Sequence, residues 1–439
     1  MAILPSIRPK DEYELLPSLR RKPLVPGPAL RRPVFLQQRP LRYPGVLPTR
    51  MAHIHPLRAL RYTSLAGPVE SLATLPYDVI PAALETEYKA RSEYNFAHLI
   101  LPRGDYAGAA ARLEAWKRAG ALAADAEAAV FIYEQSFPAP DTGAEMTRRG
   151  FIALGDTEDY GQTVFRHEWT MSGPKEDRFR LLEATRVQFD SIFMLFPDES
   201  GAVDALLDEV TAGPAEVEYG DHEKTRHRLW RCASTEWIAR LQAVMAPARL
   251  LIADGHHRYE TALRMGQPKT LMTFVPLESK GLKCFATHRI VHSLEGFDPD
   301  GFLREISALG ACRKIEKMDL ASPEGCTRIV VALGQGLWAV DIPTEAGALN
   351  VAVLQERILT RILELTPEKV TAGGHLRYKR SIVEALDEVR SGRGQAGFLL
   401  ADMPVADVAR VSFDGRVLPQ KSTFFYPKLG SGLVQYELE

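Results

Sequence analysis

A mixed α/β (α+β) fold is what the sequence predicts, and three observations carry it. Amphipathic stretches at helical spacing alternate with short apolar runs of strand length. Glycine and proline punctuate the joints between them. No internal repeat or sustained heptad interrupts the mixture, which suits helices layered on sheets.

The elements follow in chain order. A helix is expected over 107–118, with Gly120 as its stop. A second is expected after the Gly173-Pro174 turn, where Glu176 and Asp177 make a polar first turn and Phe179, Leu182 and Arg186 follow at helical spacing. Thr235 is the expected cap of a third, with Trp237, Leu241 and Val244 on one face. The apolar run 249–253 reads as a strand, Asp254-Gly255 as a turn and 259–265 as a helix. Such a junction places side chains at the edge of a sheet, where ligands bind. Residues 270–275 read as a strand, and 329–333 with 337–342 as a hairpin around Gly334-Gln335-Gly336. Val351, Leu354, Ile358 and Ile362 form one helical stripe, and 397–401 and 408–413 read as late strands.

Composition narrows the class. The 439 residues are 46% hydrophobic and 25% charged, ordinary for a soluble globular protein and long enough for more than one domain. A net charge of -2 does not suggest a nucleic-acid binder. The cysteines Cys232, Cys284, Cys312 and Cys326 contain no C-x-x-C pair, so neither a zinc ribbon nor a thioredoxin-like site is indicated. Free thiols in a reducing cytoplasm are the expectation. No apolar run approaches the roughly 18–20 residues that cross a bilayer, and no secretion signal is recognisable. A cytoplasmic protein without membrane or nucleic-acid partners is therefore expected.

Residues 1–50 stand apart. They hold ten prolines and carry +7 (eight Arg plus two Lys, minus Asp11, Glu12 and Glu14), which leaves -9 for the rest of the -2 total. Proline at this density removes ladder and helix donors, so a disordered leader is expected, with Met51 as the start of patterned sequence. The alternative is a basic arm for nucleic acid or membrane, against which the basic residues are scattered and aromatics few. Residues 51–439 then form the folded domain, with internal boundaries left open.

The sharpest chemical signal is Asp254-Gly255-His256-His257-Arg258. Burying such charge without partners is costly, so a packed core has no use for it. Glycine lets the backbone approach a ligand, arginine presents a planar fork to phosphate, histidine moves protons near neutral pH, and a carboxylate can bind magnesium or accept a hydroxyl proton. The bland reading is a solvated Asp-Gly turn. A second cluster runs from His167-Glu168 to Lys175-Glu176-Asp177-Arg178, where a lysine at a helix start suits an anion; the bland reading is a solvated cap. A third is Pro419-Gln420-Lys421-Ser422-Thr423-Phe424-Phe425-Tyr426-Pro427-Lys428, where Lys, Ser and Thr beside aromatics suit a phosphate and a stacked base, and the aromatics also suit a strand's buried face. Asp78 in Pro76-Tyr77-Asp78 and Arg289 in Thr287-His288-Arg289 are further candidates. His98, His222 and His375, standing alone, read as surface or hydrogen-bonded residues. No G-x-x-x-x-G-K-[ST], G-x-G-x-x-G, H-E-x-x-H or G-x-S-x-G motif occurs.

These segments together resemble the domain of unknown function 1015 family, also described as SerK-like. The matching stretches are PYDVI at 76–80, HEWTMSGPKEDR at 167–178, ADGHHRYETA at 253–262, THR at 287–289 and KSTFFYPKLGSGLV at 421–434, in the family's order, from about Met51 to the end. The Asp-Gly-His-His-Arg motif is similar to one in free-serine kinases, which phosphorylate L-serine with ATP or ADP and magnesium. The resemblance implies a ParB/sulfiredoxin-like nucleotide-binding core with additional α/β regions. Gly255 and Arg258 match the glycine–arginine spacing of the related phosphate-contacting box in ParB proteins. Sulfiredoxin carries Cys where this chain has His256, so sulfinic-acid reduction is not expected. LPQKST replaces the more usual MPPKST and keeps Lys421.

The expected activity is that of a nucleotide-dependent small-molecule kinase, with free L-serine as the leading acceptor. Phosphoryl transfer needs positioning and charge neutralisation above all. Arg258, His257 and Gly255 are expected on the phosphates of ATP or ADP. Asp254 is expected to hold Mg2+ or take the acceptor's proton, and His256 to orient the transferred group. Lys175 and Lys421 would neutralise developing charge, and Asp78 would hold the acceptor's amine. Ser422, Thr423, His167 and Arg289 would complete the nucleotide site. Two other readings stay open: a non-catalytic nucleotide-binding switch, as in ParB, and a metal-dependent hydrolase built on His256, His257, His288 and an acid. The oligomeric state is open as well.

Overall fold

The apolar run before Asp254 is buried on both faces, which is why it lacks the alternation of a half-exposed strand. Its residues Leu251 and Ala253 enter one core while Leu250 and Ile252 enter another. The neighbouring Ile192–Phe196 divides the same way, Phe193 and Leu195 to one side and Ile192, Met194 and Phe196 to the other. Each such side chain contributes about 1.5–3 kcal/mol on burial.

A computed structural model describes residues 51–140, 142–168 and 172–438, without the side chains of 172–175, 371 and 372; the expected leader over 1–50 lies outside the described residues. Within the unit Arg42–Glu439 helices and strands are mixed around two principal sheets. Among the described residues the larger has nine strands. Its path runs Val164–Arg166, Leu250–Asp254, Ile192–Phe196, Lys269–Pro276, Glu145–Asp156, Val130–Pro138, Arg226–Cys232 and Val217–Gly220, with Ile54–His55 added to Glu145–Asp156. Leu250–Asp254 is parallel to Val164–Arg166, and Lys269–Pro276 is parallel to Ile192–Phe196; the other pairings on the path are antiparallel. The second sheet has six antiparallel strands, ordered Ala311–Ile315, Gly336–Pro343, Cys326–Leu333, Ala396–Leu399, His288–Val291 and Leu376–Lys379. One core joins them: Phe193, Leu195 and Leu251 of the first share it with Val291, Val331 and Phe398 of the second. The helices Ala202–Thr211 and Thr235–Met245 cover the larger sheet's other face through Val203, Leu206, Trp237 and Leu241.

The helix expected over 107–118 spans Tyr106–Arg118, capped by the Asp105 carboxylate and followed by Gly120 at φ +72°. The hairpin pairs Leu333 with Gly336. Other expectations shift. Ser234, not Thr235, caps Thr235–Met245, its side chain accepting from Trp237 N. The helix Ser172–Thr185 starts before Gly173-Pro174, not after; proline is tolerated in a first turn, whose N–H groups have no intrahelical partner. The stripe of Val351, Leu354 and Ile358 is buried, and the turn Asn350–Val353 widens into a π-helix over Leu354–Thr360. The expected strand at 408–413 is a helix, Val405–Phe413. Its β-branched valines suggested a strand, but Val405, Val408 and Val411 recur every three residues and the segment packs into the shared core. Among the described residues no helix is long and apolar enough to cross a membrane, and all four cysteines are free.

Candidate functional site

The strand Leu250–Asp254 carries its acid out of the sheet through a break in register. Ile252 pairs with Met194 and Asp254 with Phe193, so two steps on one strand oppose one on the other. A bulge of this kind bends the strand and re-aims the side chain beyond it. Gly255 then turns the chain at φ +96° and ψ +22° into the helix His256–Arg264. This helix starts three residues earlier than its apolar pattern indicated, so His256, His257 and Arg258 form its first turn. Gly255 is demanded twice. Its φ is in the left-handed region, and a Cβ there would lie 2.8 Å from the Arg258 guanidinium.

Arg258 Nη2 donates to Asp254 Oδ2 at 3.1 Å, and Lys428 Nζ donates to Asp254 Oδ1 at 3.0 Å. Burial opposes ionisation of Asp254, but Lys428 and Arg258 beside it hold its carboxyl well below the usual carboxylate range. Asp190 differs. Burial raises its proton affinity, and Arg258 and the Ser431 hydroxyl, which donates to it, only partly offset that. Asp190, Asp254, Arg258, Ser191 and Ser431 line one small cleft. A neighbouring pocket is lined by Asp190 and Arg258 as well, with Arg178, Gln188 and Thr261. Arg178 is buried, stacks 4.0 Å over Tyr77 and donates to the Ile100 carbonyl.

Two histidines back the carboxylate. His167 Nδ1 meets the Ile252 carbonyl at 2.7 Å and Nε2 meets Thr423 Oγ1 at 2.6 Å. The His256 ring stands edge-on to it, 4.7 Å between centroids. Burial, and then the neighbouring His167, push the His256 imidazole far below its usual range, so it is neutral. Burial lowers His167 too, against the pull of Glu168. Among the described residues, His256 Nε2 and Arg258 Nε are buried with no hydrogen-bond partner. Buried polar nitrogens of this kind are normally satisfied. Their placement at a helix N-terminus suits a bound anion.

The expected residues thus separate. Asp254, Gly255, His256, His257 and Arg258 lie on one turn, with His167 and Thr423 against it. Asp78 is exposed, yet close enough to Arg258 and Asp190 to act on both. Lys421 does not join them. It is exposed at φ +54°, and Lys428, seven residues on, holds Asp254 instead. Ser422 is buried and its hydroxyl donates to the Pro419 carbonyl. Arg289 belongs to the second sheet, donating to the carbonyls of Thr287 and Lys421 and facing Tyr378. The side chain of Lys175 lies outside the described residues. His288 accepts from Leu400 N in the second sheet. Among the described residues no group of three or more His, Cys, Asp or Glu side chains is placed to hold a metal ion, which leaves the hydrolase reading without its ligand set. For Asp254 as a magnesium ligand the fit is poor, because both oxygens already meet cations.

The sequence places Arg178 and Lys428 in the second and third polar clusters but gives neither a role, and Asp190 carries no motif at all. Arg380, stacked 3.6 Å over Phe424 and facing Asp78, Glu223 and Asp254, brings a further cation from the second sheet's side.

Comparison with known proteins adds the following. A family model described as a protein of unknown function, DUF1015, matches residues 54–366. No curated protein matches. Among solved structures, a conserved hypothetical protein from Pyrococcus furiosus is similar at 14% identity and a TM-score of 0.36, over 63% of this chain and 92% of its own. A free serine kinase in complex with AMP is similar at 13% identity and a TM-score of 0.38, over 65% and 94%. SbnI from Staphylococcus aureus, truncated at its C-terminus, is similar at 10% identity and a TM-score of 0.36, over 64% and 86%.

Proposed function

The chain belongs to the DUF1015 family, and from that premise we propose that it is a nucleotide-dependent kinase of a small hydroxyl compound, working in the cytoplasm. The observation that carries this reading is the Asp254 carboxylate clamped between Lys428 and Arg258, with Arg258 Nε and His256 Nε2 of the same turn buried and without a hydrogen-bond partner among the described residues. Such a turn offers fixed positive charge and backbone N–H groups to a phosphate chain, and phosphoryl transfer asks for little else. The sequence motifs that resemble those of free-serine kinases point to L-serine as the acceptor and to a ParB/sulfiredoxin-like core.

The residues divide the work as follows. Arg258, with His257 and the turn at Gly255, binds the phosphates of ATP or ADP. Asp254 orients Arg258 and Lys428; a carboxylate held so far below its usual range is a poor base at neutral pH. Asp190, raised by burial in the same cleft, is better matched to taking the acceptor's proton. Lys428 supplies the neutralising charge first expected of Lys421. Asp78, exposed beside Arg258 and Asp190, would hold the acceptor's ammonium. Magnesium, when bound with the nucleotide, would supply neutralising positive charge.

Transfer from labelled ATP and ADP to a panel of hydroxyl amino acids, with magnesium, tests the reading. Labelled phosphoserine that disappears in Asp254→Asn supports it. Nucleotide binding with no transfer to any acceptor overturns it in favour of a nucleotide-binding switch.

A further inference from the structure

Lys428 does not sit on a strand or helix; it lies in the segment that follows Phe424–Tyr426, and something else must hold its backbone in place. A polar row on the larger sheet does so. Tyr219 pairs with His227, His227 with Gln135, and Gln135 with Arg148, so four neighbouring strands place these side chains in one line across one face. Tyr133, two residues from Gln135, shares that face.

The row grips the Lys428 segment at successive backbone groups. Arg148 Nη1 donates to the Tyr426 carbonyl at 3.2 Å, and Nη2 donates to the Pro427 carbonyl at 2.6 Å and to Gln135 Oε1. Gln135 Nε2 donates to the carbonyl of Lys428 itself at 2.8 Å. Gly430 N donates to Tyr133 Oη at 3.0 Å. Tyr133 Oη in turn meets His227 Nδ1 at 2.6 Å, and His227 Nε2 meets Asp221 Oδ2 at 3.1 Å. Gly430 packs so closely that a Cβ there would lie 2.6 Å from Tyr219 Oη and 3.1 Å from Tyr133 Oη.

Arg148 is 2% exposed and stacks 4.7 Å from the Phe193 ring, and among the described residues its hydrogen bonds go to carbonyl oxygens and not to a carboxylate. A fully buried guanidinium spent on backbone carbonyls is an expensive way to fasten a loop, unless that loop must be held to a fraction of an ångström. We infer that Arg148, with Gln135 and Tyr133, is a positioning residue for the proposed phosphoryl transfer, holding the Lys428 ammonium against Asp254. The inference rests on the kinase reading for its consequence, and on geometry alone for its mechanism.

Two readouts separate those parts. The first is amine-selective labelling of the full chain, with modification of Lys428 quantified by mass spectrometry. Arg148→Met and, separately, Gly430→Ala should expose Lys428 to the reagent, while other lysines label as in the wild type. The second is turnover in a double-mutant cycle with Lys428→Met. Arg148→Met alone should lower kcat by about 100-fold, as expected for a catalytic group moved by about 1 Å. It should cost nothing further in the Lys428→Met background, which a merely structural role would not predict. Unchanged Lys428 labelling in both variants that fold overturns the inference, as does a kcat loss that adds to that of Lys428→Met. A wild-type chain that transfers no phosphate defeats the kinase reading, and the labelling still decides the cradle.

Discussion

The Lys428 ammonium meets the Asp254 carboxylate at 3.0 Å across 174 residues of chain. Lys428 is 10% exposed and Asp254 25% exposed, so the contact is more than a surface ion pair. Removing the lysine leaves a partly buried carboxylate with Arg258 alone. Lys428→Met should cost about 1–3 kcal/mol of stability and abolish most turnover. Lys421→Met, at an exposed position, should stay within about 0.5 kcal/mol. Urea denaturation of the two variants and their kcat values check this, and equal effects would contradict the assignment.

The same pair sets an acid response. Asp254 is depressed in the folded state, so its contribution is present above the unfolded carboxylate range and is lost as pH falls through its lower folded range. Lys428→Met raises the folded value toward the unfolded one, so acidification should cost the variant less stability than it costs the wild type. Denaturation midpoints measured stepwise below pH 5 would show it, and parallel curves would count against it.

Binding and chemistry should separate at the turn. Arg258→Ala should weaken ATP or ADP binding by roughly 10- to 100-fold, the loss of a charge-assisted contact. Asp254→Asn should keep most of the binding and mainly reduce kcat. Calorimetric titration beside initial rates distinguishes these outcomes; identical losses in both variants would remove the division of roles.

Gly255→Ala forces a side chain into a left-handed conformation and against the Arg258 guanidinium. A penalty of about 1–2 kcal/mol is expected from the backbone alone. Nucleotide affinity should fall with it, because Arg258 must move. A variant with wild-type thermal midpoint and affinity would show that the turn is not under this constraint.

Acid should also reach the second sheet. Burial, and then Arg289, push His288 down to about 4. A depressed imidazole leaves the unfolded chain binding the extra proton, so stability is full above about pH 6.5 and falls below it, by about 1 kcal/mol per pH unit. Comparing wild type with His288→Gln between pH 7 and 5 isolates the effect: the variant's slope should be shallower.

Local signals carried much of this protein. The Asp254–Arg258 turn was readable because an acid, a glycine, two imidazoles and a guanidinium make no sense in a packed core. The helix Tyr106–Arg118, the strand before Asp254 and the hairpin between Cys326–Leu333 and Gly336–Pro343 were readable for a similar reason: periodicity, caps and turn residues act within a few positions of chain. The helix Val405–Phe413 was misread because valine-rich composition favours strand, whereas its place in the shared core rewards a three-residue repeat.

The partners of that turn depended on tertiary structure. Lys428 rather than Lys421 holds Asp254, because the row from Tyr219 to Arg148 seizes the backbone after Tyr426 and Lys421 is left at the surface. Asp190 joins Asp254 because the strand it precedes, Ile192–Phe196, lies between Leu250–Asp254 and Lys269–Pro276. Side-chain chemistry is written residue by residue, so the sequence determined which groups could bind and react. Which of them meet depends on sheet order, register and burial, and those are decided only when distant segments pack.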